Sequence, residues 1–212
     1  MYMIQTPSRY LQGAGLLDDL GSHVRQFGDH FFILSGKSAM QLKRGAIEKS
    51  FQNIGLSFTL EEFRGESTRA EINRIIEIIR SKDYDAVIGI GGGKAADTAK
   101  SAAFKTSLPV IIVPTLASCD APCSCESMIY NEEGNVEDCE VFPVNPNLVL
   151  VDSRIIAEAP VHTLIAGMGD AAATYFEAKT CYENHFNNVH GTEVSETAIG
   201  LSKLCYDLLL RY

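Results

Sequence analysis

Up to residue 110, short β-branched or apolar runs alternate with longer segments whose apolar positions recur at helical spacing. That alternation is the mark of β-α units around a parallel sheet. Phe31-Phe32-Ile33-Leu34 reads as a buried strand. Ser35-Gly36-Lys37-Ser38 then opens a helical stretch with apolar positions Met40, Leu42, Ile47 and Phe51, closed near Gly55. A second strand is expected over residues 56–61. After Ser67-Thr68, Ile72, Ile75, Ile76 and Ile79 fall at helical spacing, with Glu71 in the first turn where the helix dipole favours an acid. Ala86-Val87-Ile88-Gly89-Ile90 is too uniformly apolar for a half-exposed strand and suits a sheet covered on both faces.

Three glycines follow Ile90, then a helix beginning Lys94-Ala95-Ala96-Asp97, then a buried strand over residues 109–113. From Pro114 to Pro146 the pattern turns to loop chemistry with short strand-like pieces. An irregular excursion of that length inside a compact domain is usually functional. Residues 148–151 return to strand, and residues 159–183 and 193–210 read as helices rich in Ala, Leu and Ile. The fold class is therefore α/β: a parallel-sheet domain over residues 1–155 and, over residues 156–212, the first helices of an all-helical unit that looks unfinished.

Composition adds exclusions. With 46% apolar and 21% charged residues the chain is neither disordered nor fibrous. Its apolar runs are far shorter than the roughly 18 residues a membrane-spanning helix needs, and the N-terminus lacks the basic and apolar regions of a secretory signal. A cytoplasmic address is expected, with the six cysteines as thiols. A net charge of −9 disfavours nucleic acid and anionic membranes as partners.

Three constellations carry chemistry. Gly89-Ile90-Gly91-Gly92-Gly93-Lys94 sits where a buried strand meets a helix, so backbone can approach a ligand closely and free N–H groups can bind phosphate. It matches neither the dinucleotide pattern G-x-G-x-x-G nor a P-loop, because Lys94 takes the sixth position and Ala95 follows it. A tight turn is the plain alternative. Thr115, Ser118, Asp120 and Ser124 leave the C-terminal end of the next strand, the edge at which open α/β sheets bind ligands. The hydroxyls suit a phosphate or amide and Asp120 suits a polyol hydroxyl; turn capping is the alternative. Cys119, Cys123 and Cys125 have no common zinc spacing. Gly167-Met168-Gly169-Asp170 puts a carboxylate near the expected start of a helix, as an N-cap, a first-turn acid or a metal ligand. His162, His185 and His190 lack a paired spacing and read as structural.

Together, Gly91-Gly92-Gly93-Lys94-x-x-Asp97-x-Ala99-Lys100, Pro114-Thr115-x-Ala117-Ser118-x-Asp120-Ala121-Pro122-Cys123-Ser124 and Gly167-Met168-Gly169-Asp170-Ala171 resemble the glycerol dehydrogenases of the iron-containing alcohol dehydrogenase superfamily. The segments around Ile129-Tyr130 and Asn145-Pro146 fit as well, so the likeness spans essentially the whole chain. It implies a Rossmann-like dinucleotide domain in a dehydroquinate-synthase-like fold, and NAD-linked, metal-dependent oxidation of glycerol to dihydroxyacetone in a homo-oligomer. Carried over by position, Gly91, Gly92, Gly93, Lys94 and Asp97 belong to the coenzyme site, lined further by Thr115, Ser118, Ser124 and Tyr130. Asp120 holds the substrate, and Asp170 is a ligand of Zn2+ or another divalent metal.

Departures shape the expectation. Ser35-Gly36-Lys37 stands where relatives often carry an acid against the adenosine ribose, so NADP is not excluded, and Glu126 replaces an apolar coenzyme-lining residue. Relatives continue through a helical domain that supplies two histidine ligands. The expectation is a truncated chain or fragment with a complete coenzyme half, an incomplete metal site and little activity. A non-catalytic binding or assembly protein, its apolar helical faces at residues 198–210 seeking burial, is the alternative from another class. A polyol-phosphate dehydrogenase would need a basic pocket near Asp120, and none is evident.

Overall fold

The structure, a computed structural model, describes residues 1–212; the side chain of Leu42, one of the apolar positions expected in the first long helix, lies outside the described residues. In chain order the elements are β1 (Tyr10–Gly13), α1 (Leu20–Val24) between two short 3-10 turns, β2 (His30–Gly36), α2 (Lys37–Asn53), β3 (Ser57–Phe63), α3 (Arg69–Arg80), β4 (Ala86–Gly91), α4 (Gly93–Lys105), β5 (Val110–Pro114), β6 (Glu126–Tyr130), β7 (Val136–Val141), β8 (Leu148–Asp152), α5 (Ser153–Glu158), α6 (Val161–Glu183) and α7 (Glu196–Arg211). Six strands form one sheet in the order β1-β8-β5-β4-β2-β3, every neighbouring pair parallel.

The apolar runs are long because both faces of this sheet are covered. Phe31, Ile33, Ile88, Ile90, Ile111 and Val113 pack on one face with Leu17, Leu20, Ile47 and Phe51. Phe32, Leu34, Val87 and Ile112 turn to the other, where they meet Ile72, Ile75, Ile76 and Ile79 of α3 and the alanines of α4. The period-2 alternation of strand side chains thus feeds two separate cores. α3 starts where expected: Thr68 is the N-cap and its hydroxyl accepts from the Glu71 N–H at 3.1 Å.

α4 is the most deeply set helix, buried continuously from Ala95 to Ala103. It lies so close to β4 that a Cβ on Gly89 would fall 2.6 Å from the Ala99 Cβ, and one on Gly91 2.8 Å from the Ala95 Cβ. Two glycines of the strand–helix junction therefore serve packing, and the next two, Gly92 and Gly93, stand at the helix mouth.

Several expectations are corrected. β1, α1 and α5 were not anticipated. The segment after Pro114 is not all loop: β6 and β7 make an antiparallel hairpin, with a register irregularity at Ile129/Tyr130. The helix expected from residue 159 begins at Val161, because Pro160 is its N-cap and separates it from α5. α6 and α7 pack on each other through Tyr175, Phe176 and Tyr206, and Ser202 is the only residue of the two helices that is buried.

The β4–α4 contact makes a sharp comparison. Gly89→Ala should lower stability by about 1–3 kcal/mol, the usual cost of forcing volume into a packed core. Gly45→Ala in α2, where an added Cβ meets nothing within 4 Å, should raise it by about 0.5–1 kcal/mol. Urea titrations followed by circular dichroism decide; a Gly89→Ala midpoint equal to the parent's would contradict the packing.

Candidate functional site

Because all six strands run parallel, the loops after β2, β4, β5 and β8 emerge on one edge of the sheet, and that edge gathers the three sequence motifs. Gly92 is the N-cap of α4 and offers no side chain to the helix start. The leading N–H groups of a helix have no partner within the helix, so here they are left to an incoming acceptor. The loop after β5 leans over them: Cβ atoms placed on Gly92 and Gly93 would meet Leu116 at 3.1 Å and the Cys119 sulfur at 3.0 Å. Thr115 is tied to the turn by its N–H donating to the Gly91 carbonyl at 2.9 Å. With Leu116, Ser38, Lys43 and Ile155 it lines a hollow of about 150 Å3.

Lys94 is half-exposed beside this mouth. Its Nζ lies 2.5 Å from Glu66 Oε2 and 4.4 Å from the centre of the Tyr130 ring. Tyr130 is held in turn by its N–H donating to the Ser67 carbonyl at 2.9 Å. The structure thus brings Lys94 and Tyr130 together and supplies an anion, Glu66, that the motifs did not announce.

Farther along the edge, the loop carrying Asp120 meets α6. Asp170 was expected near a helix start, as an N-cap or first-turn acid; it lies instead well inside α6, whose N-cap is Pro160. The glycines flanking Met168 do not break the helix. Gly167 is there because the loop presses on it: a Cβ at that position would fall 2.0 Å from the Ala117 carbonyl oxygen, with the Cα of Ser118 at 3.3 Å. This contact lets the Asp120 N–H donate to Asp170 Oδ2 at 3.2 Å. Asp120 borders a cavity of about 470 Å3 shared with Asp170, Cys119, Leu164 and Met168. It also borders one of about 510 Å3 shared with Cys123, Ser124 and His190.

Asp120 is exposed as a residue, yet crowding by protein atoms and then the like charge of Asp170 push its carboxyl above the ordinary aspartate range. Burial, and then Asp120, push the Cys123 thiol up, so it is not an activated nucleophile. All six cysteines are free.

Asp97 departs from its expected place at the coenzyme. It is buried beneath the hairpin, 3.0 Å from the Lys100 Nζ, and accepts from the Met128 N–H at 3.3 Å. Burial raises its carboxyl despite the ammonium beside it. Ser124 faces inward too, its Oγ 3.2 Å from the Lys100 Nζ. A cation does lie near Asp120 after all, but its N–H groups are committed to the loop. Asp170 and Asp120 are the carboxylates at hand for a metal. Among the described residues no group of three or more His, Cys, Asp or Glu is arranged to hold one.

The fold, an open parallel sheet whose glycine turn feeds an uncapped helix, defines a class of dinucleotide-type α/β proteins. Comparison narrows it. Residues 7–153 match the family model described as iron-containing alcohol dehydrogenase. The chain is 41% identical over 208 residues to glycerol dehydrogenase from Citrobacter freundii, covering 98% of this chain and 57% of that protein. It is 42% identical over 211 residues to glycerol dehydrogenase from Thermotoga maritima, covering 97% and 56%. The solved structure of a probable glycerol dehydrogenase from Sinorhizobium meliloti superposes with a TM-score of 0.92 at 34% identity, over 99% of this chain and 57% of that one. The chain belongs to the iron-containing alcohol dehydrogenase family, and spans a little over half the length of these curated relatives. No described helix is long and apolar enough to cross a membrane.

The raised Asp120 carboxyl has a signed consequence. The folded state holds its proton more tightly than the unfolded chain does, so the group costs stability as pH rises from about 4 through its raised folded value. Asp120→Asn should be more stable than the parent above that window, and the difference should vanish below it. Asp97, whose carboxyl Asp120 also helps to raise, is relieved in the same direction in the variant and adds to the difference. Urea midpoints over a pH series are the measurement; parallel profiles for the two proteins would refute the assignment.

Proposed function

We propose that this chain is the coenzyme-binding part of a glycerol-dehydrogenase-type oxidoreductase. Residues 1–155 would form the dinucleotide domain and residues 156–212 the first helices of a helical domain. The observation that carries this is the uncapped start of α4, with Gly92 and Gly93 facing a loop rich in hydroxyls at the C-terminal edge of a parallel sheet. The residues present fit a dinucleotide. Amides at Gly93, Lys94 and Ala95 would hold the pyrophosphate, with the positive end of the helix dipole behind them. Lys94 would add charge after exchanging Glu66 for phosphate. Thr115, Ser118 and Tyr130 would line the remainder. NAD is the coenzyme proposed, and NADP is its competitor because Lys37 opens α2 where an acid would repel a 2′-phosphate.

The substrate proposed is a small polyol, glycerol first, with its hydroxyls on Asp120. That carboxyl, raised above the ordinary aspartate range by crowding and by Asp170, would accept from the polyol hydroxyls. Bound NAD would accept the hydride. The divalent metal that the family implies is a different matter. A catalytic zinc takes three protein ligands and an open position, and these residues offer Asp170, with Asp120 beside it. They do not fit a metal by themselves.

A second reading has its own observation. Leu164, Ile165 and Met168 of α6 and Leu201, Leu204 and Leu208 of α7 are exposed, an apolar surface of the kind that seeks a partner. An assembly role, with or without catalysis, accounts for it, and a homo-oligomer is the simplest form. Light scattering discriminates: a monodisperse monomer over a wide concentration range argues against it.

Calorimetry with NAD, NADP and ADP-ribose tests the leading proposal. Saturable binding is expected for at least NAD and ADP-ribose. Gly93→Val should weaken it by about tenfold or more, since hydrogen bonds to a charged group are lost. Glu66→Gln should strengthen it by up to about fivefold, the range of a half-exposed ion pair. Absence of saturable binding by every one of these ligands removes the proposal.

A further inference from the structure

α4 carries a lysine at a depth where only alanines would be expected. Lys100 is 2% exposed and lies one turn from Asp97 on a helix otherwise packed into the apolar core. An ammonium removed from water needs its hydration replaced bond for bond. Here the replacement comes almost wholly from one stretch of backbone. The Nζ donates to the Ala121 carbonyl at 2.7 Å and to Ser124 Oγ at 3.2 Å. The Ser124 carbonyl stands at 3.4 Å, and the Glu126 carbonyl is closer than any of these. Every acceptor besides Asp97 therefore belongs to residues 121–126, the run from the Asp120 loop into the first residue of the hairpin.

From outside, the segment is also held where Asn145 Nδ2 donates to the Cys123 carbonyl at 2.7 Å and the Phe142 N–H to the Cys125 carbonyl at 2.8 Å. Its internal bonds are the Cys123 N–H to the Asp120 carbonyl at 2.9 Å and a long Ser124 Oγ contact to the Ala121 carbonyl. Residues 121–125 belong to no helix or strand, and Glu126 opens β6. The same turn of α4 continues the grip: Ser127 Oγ donates to the Asp97 carbonyl at 2.9 Å, and Ser101 Oγ to Glu140 Oε2 at 2.8 Å. A convergence of three carbonyls and a hydroxyl on one buried ammonium is more than neutralising Asp97 would need.

We propose that Lys100 is the positioning residue for Asp120: a post within the core around which residues 121–126 are wrapped, fixing where Asp120 meets Asp170. Lys100 lines neither of the cavities that Asp120 borders and acts through the loop. The inference rests on the functional reading only in naming Asp120 as the polyol contact; the clamp itself is a property of the unliganded chain.

The loop carries its own reporters, Cys119 and Cys123, and Cys181 on α6 is a reference thiol in the same chain. Alkylation by iodoacetamide, resolved by peptide mass spectrometry, is followed for the parent, Lys100→Met, the double variant Asp97→Asn/Lys100→Met, and Asp97→Asn. The double variant spares the fold an unpaired buried carboxylate. If Lys100 is the post, Cys123 reacts about tenfold faster or more in both variants that lack it, as local opening without global unfolding allows. Cys181 stays unchanged, and Asp97→Asn, which keeps the ammonium and its carbonyls, stays near the parent.

Equal acceleration at Cys123 and Cys181 means a merely structural lysine and overturns the proposal. So does a loop loosened as much by Asp97→Asn as by Lys100→Met, and so does no acceleration at all. Should Lys100→Met not fold, Lys100→Gln provides the same comparison with a single donor left in place. None of these rates involves a coenzyme or polyol, so failure here and failure of the binding proposal are read separately.

Discussion

The structure depends on how closely α4 lies against β4. Gly89 and Gly91 remove the side chains that would hold the helix off, and Ala95 and Ala99 take the space. This contact brings the mouth of α4 to the C-terminal edge of the sheet and buries the helix over nine consecutive positions. A helix so deep is shaped on all sides, by α3, by the strands and by the β6–β7 hairpin. Its polar residues are therefore forced into defined partnerships, since a buried polar group without one is costly. The loop geometry around Asp120 is a consequence of that same depth.

Electrostatically the site is a balance between anions of the protein and anions it is built to meet. Glu66 occupies Lys94, Asp97 occupies Lys100, and Asp120 and Asp170 share a cleft. In a chain of net charge −9 the few cations near the sheet edge carry disproportionate weight. Helix-start amides complement them: they attract a phosphate yet bring no counter-charge that must be neutralised when the site is empty.

Most of the sheet was legible because its strands are buried on both faces, and such strands announce themselves as unbroken apolar runs. α3 was legible through its isoleucine periodicity and Thr68 cap. The parts that were not legible share a physical cause. β1 is a half-exposed edge strand of four residues, and only its pairing with β8 makes it a strand. β7 reads Val-Glu-Asp-Cys-Glu-Val and is almost wholly exposed, so no apolar face marks it. Asp170 was misplaced along its helix because Gly167 looks like a boundary until the pressing Ala117 carbonyl is seen. Glu66 and the inward turn of Asp97 depend on contacts between segments far apart in sequence. A lysine in an alanine-rich run was the one local hint of the buried pair, since a charged residue there is either exposed or clamped.

The strand order also bears on how the chain comes into being. β2, β3, β4 and β5 pair among themselves in a nearly local sequence, so they can associate as they leave the ribosome. β1, made before the other strands of this sheet, pairs within it with β8 alone, the one made after the rest. At ordinary translation rates Tyr10–Gly13 waits on the order of ten seconds for its partner. Asp152, at the very end of β8, then closes the account by accepting from the N–H groups of Gly15 and Leu17. Until that carboxylate emerges the nascent sheet keeps a raw edge at β5, and that is the interval in which a chaperone has something to hold.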